Sequence, residues 1–527
     1  MVEDKPIIDA APLSLTRRIG WVALGRLAGI SALLLVNVIL ARNLSPADYG
    51  YYQQIWVLLN VAIPLFLFGL PVSINFFIPP LSGQERNNLM LQHVLLNLCM
   101  AFLFLGCVGG LGAAYRSTLF GIGPDIVPLL PIAAIGFGLI VCGFWEAFLI
   151  VYNKPKWLAI SLIFFSLIHL SAVLLGYFVG KSLEWIFIGL SLSVMFRFIV
   201  VFFTLWRMLQ PCAFRFRRDW LQKQLRYIWP VGLREGVGVL TKFSDKLLFI
   251  LSASYFPYFN ASTFAYYYNG AWELPVVGIL VDSMLVVLQP ELRGAYHRKD
   301  IHHIVSLMHF ASRRIAFFLF PLAAFSFVVG PDLMSLLFGA SYRVSGNYFR
   351  VFTLILLCRI SIAGLVLLAA DRAGSVLFGT VLDLFIAVVV GFALIPLVGP
   401  FGPAIGLVCS TYCQVGYYMW KASKVIGTPL RTILPWSTLG KLVLFNGGIG
   451  VCSSFFLIFD SAVSNIIISG AVFGVLFLVG GLGLGWFEPE ERDLLRTARE
   501  MAKTALTSLV KKEKEDFSQQ DSRPRGE

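Results

Sequence analysis

What most constrains this chain is a recurrence of apolar blocks about 20 residues long, each long enough to cross a hydrocarbon core as a helix rising about 1.5 Å per residue. About 14 such spans are predicted, at roughly 19–41, 51–79, 89–114, 126–152, 156–179, 184–207, 228–254, 263–290, 311–337, 345–370, 374–397, 400–422, 438–459 and 463–486. Most lack period-two alternation, and each is longer than a transmembrane strand requires. In lipid, unpaired backbone amides leave helices as the alternative to a closed barrel. The predicted fold class is therefore all-α integral membrane. Charged residues make up only 13% of the chain, against about 25% in soluble domains. The net charge of +13 would suit nucleic acid only on a soluble basic face. Here the basic residues border apolar blocks, and no nucleic-acid partner is expected.

Loop charge sets the expected orientation. Alternate connections, counted from the N-terminal tail, hold about 30 Lys and Arg, and the other set about 4. The rich set includes Lys154, Lys156, Arg215, Arg217, Arg218, Lys223, Arg226, Arg298 and Lys299; the poor set has little beyond Arg42, Arg116, Lys181 and Arg343. Both termini are thus expected in the cytoplasm. The first block is too long for a signal-peptide core and has no small-residue cleavage site, so it reads as a span. Outward loops of about ten residues or fewer leave no room for a folded catalytic domain, which argues against an enzyme.

The basic, aromatic stretch "RMLQPCAFRFRRDWLQKQLRY" reads as an interfacial helix touching anionic membrane lipids. His297, His302, His303 and His309 crowd a later cytoplasmic loop without metal-ligand spacing, as on a solvated face. Seven cysteines lie in apolar blocks. Cys409 and Cys413 share a helical face but have no second pair for zinc, so these cysteines read as small buried hydrophobes. Beyond Trp486 the tail reads as an amphipathic surface helix followed by disorder.

The hairpin around "DYGYYQQIWVLLNVAIPLFLFGLP" is echoed around "FAYYYNGAWELPVVGIL". Each opens with aromatics, has a proline about a dozen residues on (Pro64, Pro275) and ends in proline (Pro79 and Pro80; Pro290). The expected layout is a cytoplasmic tail at 1–18, a six-helix lobe at 19–209 and a basic interfacial linker at 210–226. A second six-helix lobe at 227–425, two extra helices at 426–486 and a cytoplasmic tail at 487–527 complete it. The lobes are expected to be pseudo-symmetric about a central cavity.

An ionisable residue at mid-bilayer costs about 2.5–3.5 kcal/mol on insertion scales, so each asks for a reason. The seventh span holds Arg234, Glu235, Lys242, Asp245 and Lys246 within an arc of roughly 120°. For Lys242, Asp245 and Lys246 two readings stand: an internal ion pair that ties helices together, or the lining of a water-filled pathway. The first span adds Arg26 and Asn37. The second adds Gln53, Asn60, Pro64, Pro71 and Asn75 along one stripe, with kinks expected at its prolines. Glu146, Arg197, Glu273, Asp282, Arg359 and Asp383 are further intramembrane candidates, and of these Glu146, Arg197, Glu273 and Arg359 equally fit structural pairs. A polar, net-basic lining suits a phosphate-bearing substrate, because Arg binds phosphate oxygens bidentately.

Two segments of the first hairpin, "ARNLSPADYGYYQQIW" and "FGLPVSINFFIP", carry a resemblance. So do "SDKLLFIL", "YYNGAWELPVVGILVDSMLVVLQPEL", "GPDLMSLLFGASYRVSGNYFRVFTLIL" and "VLDLFIAVVVGFALIPLVGPFGPAIGLVCS". Over roughly residues 15–425 the chain resembles bacterial oligosaccharide flippases, the polysaccharide-biosynthesis transporters of the superfamily that includes multidrug extruders and lipid II flippases. The resemblance implies that a polyprenyl-pyrophosphate-linked oligosaccharide is flipped across the cytoplasmic membrane by alternating access, with a polysaccharide polymerase or export machinery as an expected partner. A multidrug extruder or a lipid II-type flippase is the alternative. Arg26, Asn37, Asn60, Arg234, Lys242 and Lys246 would bind the substrate. By similarity to lipid II flippases, Asp245, Asp383 and Thr411 would bind a coupling Na+ or H+, although Gly379 stands where those proteins carry Asn. Many oligosaccharide flippases have twelve spans, so fourteen leaves the subfamily open.

Overall fold

The computed structural model describes residues 15–120, 129–209, 214–272 and 274–483. Every regular element among them is helical. In order these are α1 (Leu15–Asn43), α2 (Pro46–Leu67), α3 (Leu70–Phe77), α4 (Gly83–Phe120), α5 (Leu129–Val141), α6 (Trp145–Val151), α7 (Pro155–Gly180), α8 (Leu183–Leu209), α9 (Arg218–Ser252) and α10 (Ala261–Gly270). Then follow α11 (Pro275–His297), α12 (Ile301–Phe338), α13 (Ser345–Thr353), α14 (Ala363–Ala369), α15 (Ala373–Val398), α16 (Phe401–Ile426), α17 (Leu430–Ile433), α18 (Trp436–Ser454) and α19 (Ala462–Gly483).

Eight of the described helices are long and apolar enough to cross a membrane, or nine if the bent pair α2–α3 forms one span. Five expected spans fall outside this set, at 228–254, 263–290, 345–370, 400–422 and 438–459. α9 carries the five ionisable residues of the seventh span. The stretch expected as one span at 263–290 divides into α10 and α11, because Leu274, ahead of Pro275, takes an extended conformation. The stretch at 345–370 divides into α13 and α14, with Arg359 exposed at the break.

Local chemistry fixes several ends. Ser45 Oγ accepts the Asp48 amide at 3.1 Å and caps α2, and Pro46 supplies a first-turn residue whose missing N–H is not needed. Asn260 and Asp300 cap α10 and α12 in the same way, each at 3.0 Å. The kinks expected at Pro64 and Pro71 resolve differently. Pro64 lies within α2, Pro71 opens α3, and the chain turns between them at Phe68 (φ 42°) and Gly69 (φ 74°), bending by 40°.

Four apolar cores form. One packs α3, α4, α6, α7 and α8 around Phe148 and Leu158, and another packs α11, α12, α14, α16 and α17 around Met308 and Leu367. These lie in the first and second halves of the chain. The other two join the halves, through Tyr49, Tyr52 and Tyr342 in one case and Val57, Phe249 and Tyr267 in the other. The two echoing hairpins meet here. A Cβ on Gly50 of α2 would collide with the backbone of Ala261 in α10, and Tyr49 Oη donates to Asn269 Oδ1 at 2.9 Å. A second close approach places Gly69 and Phe68 against Gly232 of α9.

The chain divides into two compact units, 1–443 and 444–527. Within the second, Asn465 exchanges hydrogen bonds with the backbone of Phe459, both at 2.9 Å, and Ser469 Oγ donates to Ser453 O at 3.2 Å. The expected amphipathic tail lies outside the described residues.

Part of the basic stretch near 210–226 lies outside the described residues. From Arg218 onward it forms the opening turns of α9. Residues 215–217 are held to α4 by reciprocal bonds with Asn88 and Gln92, and Arg217 pairs with Glu85 at 2.9 Å and Asp219 at 2.7 Å. The cysteines also depart from expectation. Cys142 and Cys358 are buried, but Cys99, Cys409, Cys413 and Cys452 are exposed, as apolar side chains facing lipid are free to be. His297 and His302 are exposed, and His309 Nε2 donates to Thr432 O at 2.7 Å. No metal-binding group of His, Cys, Asp or Glu occurs among the described residues.

Candidate functional site

Two clusters of charged side chains among the described residues contain the candidates named above. The first is the middle of α9. Asp245 has a fully buried side chain, and Lys246 Nζ lies 3.1 Å from its Oδ2 and 3.4 Å from Oδ1. Tyr267 Oη of α10 donates to Oδ2 at 2.9 Å. Adjacent residues on a helix project about 100° apart, so the two side chains reach towards each other. Lys246 also lies over the Phe352 ring at 5.7 Å, and Tyr267 packs edge-on against Tyr348. The ion pair is internal to α9, and the Tyr267 hydrogen bond ties it to α10. Lys242 and Arg234 are exposed, with Lys242 Nζ 5.7 Å from the Phe243 ring.

α9 runs parallel to α15: Thr241 Oγ1 approaches Thr380 O at 3.4 Å, and two turns on Leu248 packs over Gly391. One turn beyond the Thr241–Thr380 contact come Asp245 on one helix and Asp383 on the other. Asp383 is buried, with Ser410 beside it and Oδ1 without a hydrogen-bond partner. Thr411 Oγ1 donates to Leu407 O of its own helix, 2.9 Å away. Gly379 has a steric reason, since a Cβ there would strike the Tyr418 ring, whose Oη donates to Val376 O at 2.8 Å.

The second place is in the first half. Arg26 Nε donates to Glu146 Oε1 at 3.1 Å, and its Nη2 reaches the same oxygen. The pair remains accessible, with 61% and 40% of the side chains exposed. Its backbone setting is tight, because Gly25 and Gly29 press α1 against Ala159 and Ser166 of α7. Arg197 of α8 lies over Phe165 at 5.0 Å, and its enclosed Nε has no hydrogen-bond partner. Arg197 lies within electrostatic reach of Glu146 but makes no hydrogen bond to it. His169 stands against the Trp56 ring at 5.8 Å and faces Arg197.

The remaining candidates are scattered. Gln53 Nε2 donates to Asn37 Oδ1 at 3.0 Å, joining α1 to α2, whereas Asn60 bonds Trp56 O in its own helix and Asn75 is exposed. Glu273 and the side chain of Asp282 lie outside the described residues. Sequence reading singled out Arg26, Glu146 and Arg197 without joining them, and it missed Tyr267 and His169. The only signal for Tyr267 was its place in the aromatic run that opens the second hairpin.

Residues 15–264 match the model for the polysaccharide biosynthesis protein family. That match lies in the first half of the chain, and similarity to solved structures extends the fold to the second. The lipid II flippase MurJ, in an inward closed conformation, superposes with a TM-score of 0.64 at 13% identity, covering 88% of this chain and 99% of that one. An inward-facing multidrug-resistance MATE family transporter gives 0.59 at 13% identity, covering 80% and 99%. A transporter of the same superfamily from Pyrococcus furiosus, described as having a binding pocket of reverse polarity, gives 0.53 at 14% identity, covering 78% and 97%. At these identities the likeness is one of fold. No curated protein sequence matches the chain. The chain is a multi-pass membrane protein with a transporter fold.

Proposed function

We propose that this protein moves a polyprenyl-pyrophosphate-linked oligosaccharide unit from the inner to the outer leaflet of the cytoplasmic membrane, for surface polysaccharide synthesis. The observation that carries this reading is the accessible basic charge on spanning helices, Arg26 on α1 and Lys242 on α9, in a chain whose first half matches the polysaccharide biosynthesis family. A pyrophosphate crossing between leaflets needs cations along its path, and the prenyl tail stays in lipid. In this reading fourteen helices form two six-helix lobes with two added helices, both termini are cytoplasmic, and the lobes rock about a shared cavity. A polysaccharide polymerase or export machinery would take up the product. Asp245 already holds Lys246, which leaves Asp383, with Thr411 on the adjacent helix, as the carboxylate open to a coupling Na+ or H+. No organic cofactor is proposed.

The test is the Arg26→Gln, Lys242→Gln double variant in a strain lacking the native gene. Loss of surface polysaccharide with normal membrane expression is expected, and full polymer would reject the reading. The MATE-like fold supports a second reading, a drug extruder. Export of cationic dyes from a pump-deficient strain would favour it.

A further inference from the structure

Arg26 donates to Glu146 inside the first-half bundle, and Arg197 lies within electrostatic reach of the same side chain without bonding it. Both donors of Arg26 fall on a single oxygen, Oε1, and the pair is accessible rather than sealed. Behind it Arg197 presents an enclosed Nε with no hydrogen-bond partner, flanked by Phe165 and by His169 on Trp56. The cluster is one negative charge short, and an enclosed donor is left over. Such an arrangement is poor as a purely structural pair, because a buried donor without an acceptor costs stability.

We propose that Glu146 is a displaceable stand-in for the anionic head group. In the empty carrier its carboxylate neutralises Arg26. When a pyrophosphate enters, its oxygens replace Glu146 on Arg26 and supply the acceptor that Arg197 Nε lacks. The exchange keeps Arg26 paired with an anion in both states and gives Arg197 an acceptor in the loaded one, where an uncompensated intramembrane charge would be costly. This inference rests on the proposed pyrophosphate-bearing substrate and adds a charge-exchange step to it. Trp56 and His169 form the aromatic wall beside the exchange site.

The experiment is isothermal titration of the full-length protein in detergent with inorganic pyrophosphate, at fixed ionic strength. Removing the competing carboxylate with Glu146→Gln should tighten binding about fivefold, the worth of an accessible ion pair. Glu146→Asp, which withdraws the carboxylate by one methylene, should tighten it less but measurably. Arg197→Gln introduced into the Glu146→Gln protein should take the gain away. In cells Glu146→Gln should lower surface polymer despite its tighter binding, because nothing displaces the anion on release.

Binding that is equal or weaker in both Glu146 variants overturns the exchange while leaving the substrate class standing. A gain that survives Arg197→Gln overturns the second anchor and with it the site as drawn. Absence of pyrophosphate binding by the wild type and by every variant overturns the substrate class itself, and the exchange falls with it.

Discussion

Replacing Lys246 with Met isolates what the pair on α9 is worth. The Asp245 side chain is wholly buried and that of Lys246 is 11% exposed, so solvent screens them little. Removing the ammonium leaves a buried carboxylate supported only by Tyr267, and breaking such a pair costs about 3–5 kcal/mol. Asp245→Leu alone strands the ammonium and should cost a similar amount. With both changes neither charge remains, and replacement of a buried pair by apolar residues is often close to neutral. The singles would sum to about 6–10 kcal/mol, whereas the double variant is expected to lose under about 2 kcal/mol, a large coupling. Reversible unfolding in mixed detergent micelles, followed by tryptophan fluorescence, measures all three. Additive losses, with the double variant as unstable as the summed singles, would refute the pairing. Surface polymer reads the function separately. A stable double variant that still delivers polymer assigns the pair to architecture, and a stable one that delivers none gives the charges a part in transport.

Ser73 Oγ lies 2.8 Å from Nε2 of the fully buried His93, whose Nδ1 lies 3.3 Å from Gln224 Nε2. Ser73→Ala should therefore cost about 1–3 kcal/mol in the same unfolding assay. Gly50→Ala forces a Cβ onto the Ala261 backbone and should destabilise by about 1–3 kcal/mol with loss of polymer, whereas Gly83→Ala, with open space around its Cβ position, gives a contrast dominated by its backbone conformation. Lys181, exposed at the end of α7 with φ 48°, should gain about 0.5–1 kcal/mol on replacement by Gly. Arg217 holds the exposed Asp219 carboxyl below its ordinary range, so the link between them is present above the unfolded pKa of about 3.9 and is lost as pH falls through the lower folded value. Hydrogen exchange at residues 214–220 should rise through that acidic window, and Asp219→Asn should remove the pH dependence.

Period and length made the helices legible, since an apolar run of about 20 residues has few alternatives in lipid. The hairpin echo was legible too, and its members meet where Tyr49 donates to Asn269. Helix phase placed Asp245 and Lys246 on one stripe but did not reveal that they bond each other. The Arg26–Glu146 pair spans 120 positions, and a helical face read from sequence names no neighbour across that distance. The turn at Phe68–Gly69 was masked by prolines on either side, which drew the expected kinks to themselves. The cysteines were misjudged because in a membrane the apolar exterior looks, by composition, like an interior.

Gly50 gives the contact between the halves an unusual texture: main chain rests on main chain, with no side chain between. A seam of this kind can part and close again without any rotamer having to be found afresh. In the rocking proposed above, the resistance to parting would fall on the aromatic rings around it, Tyr49 among them.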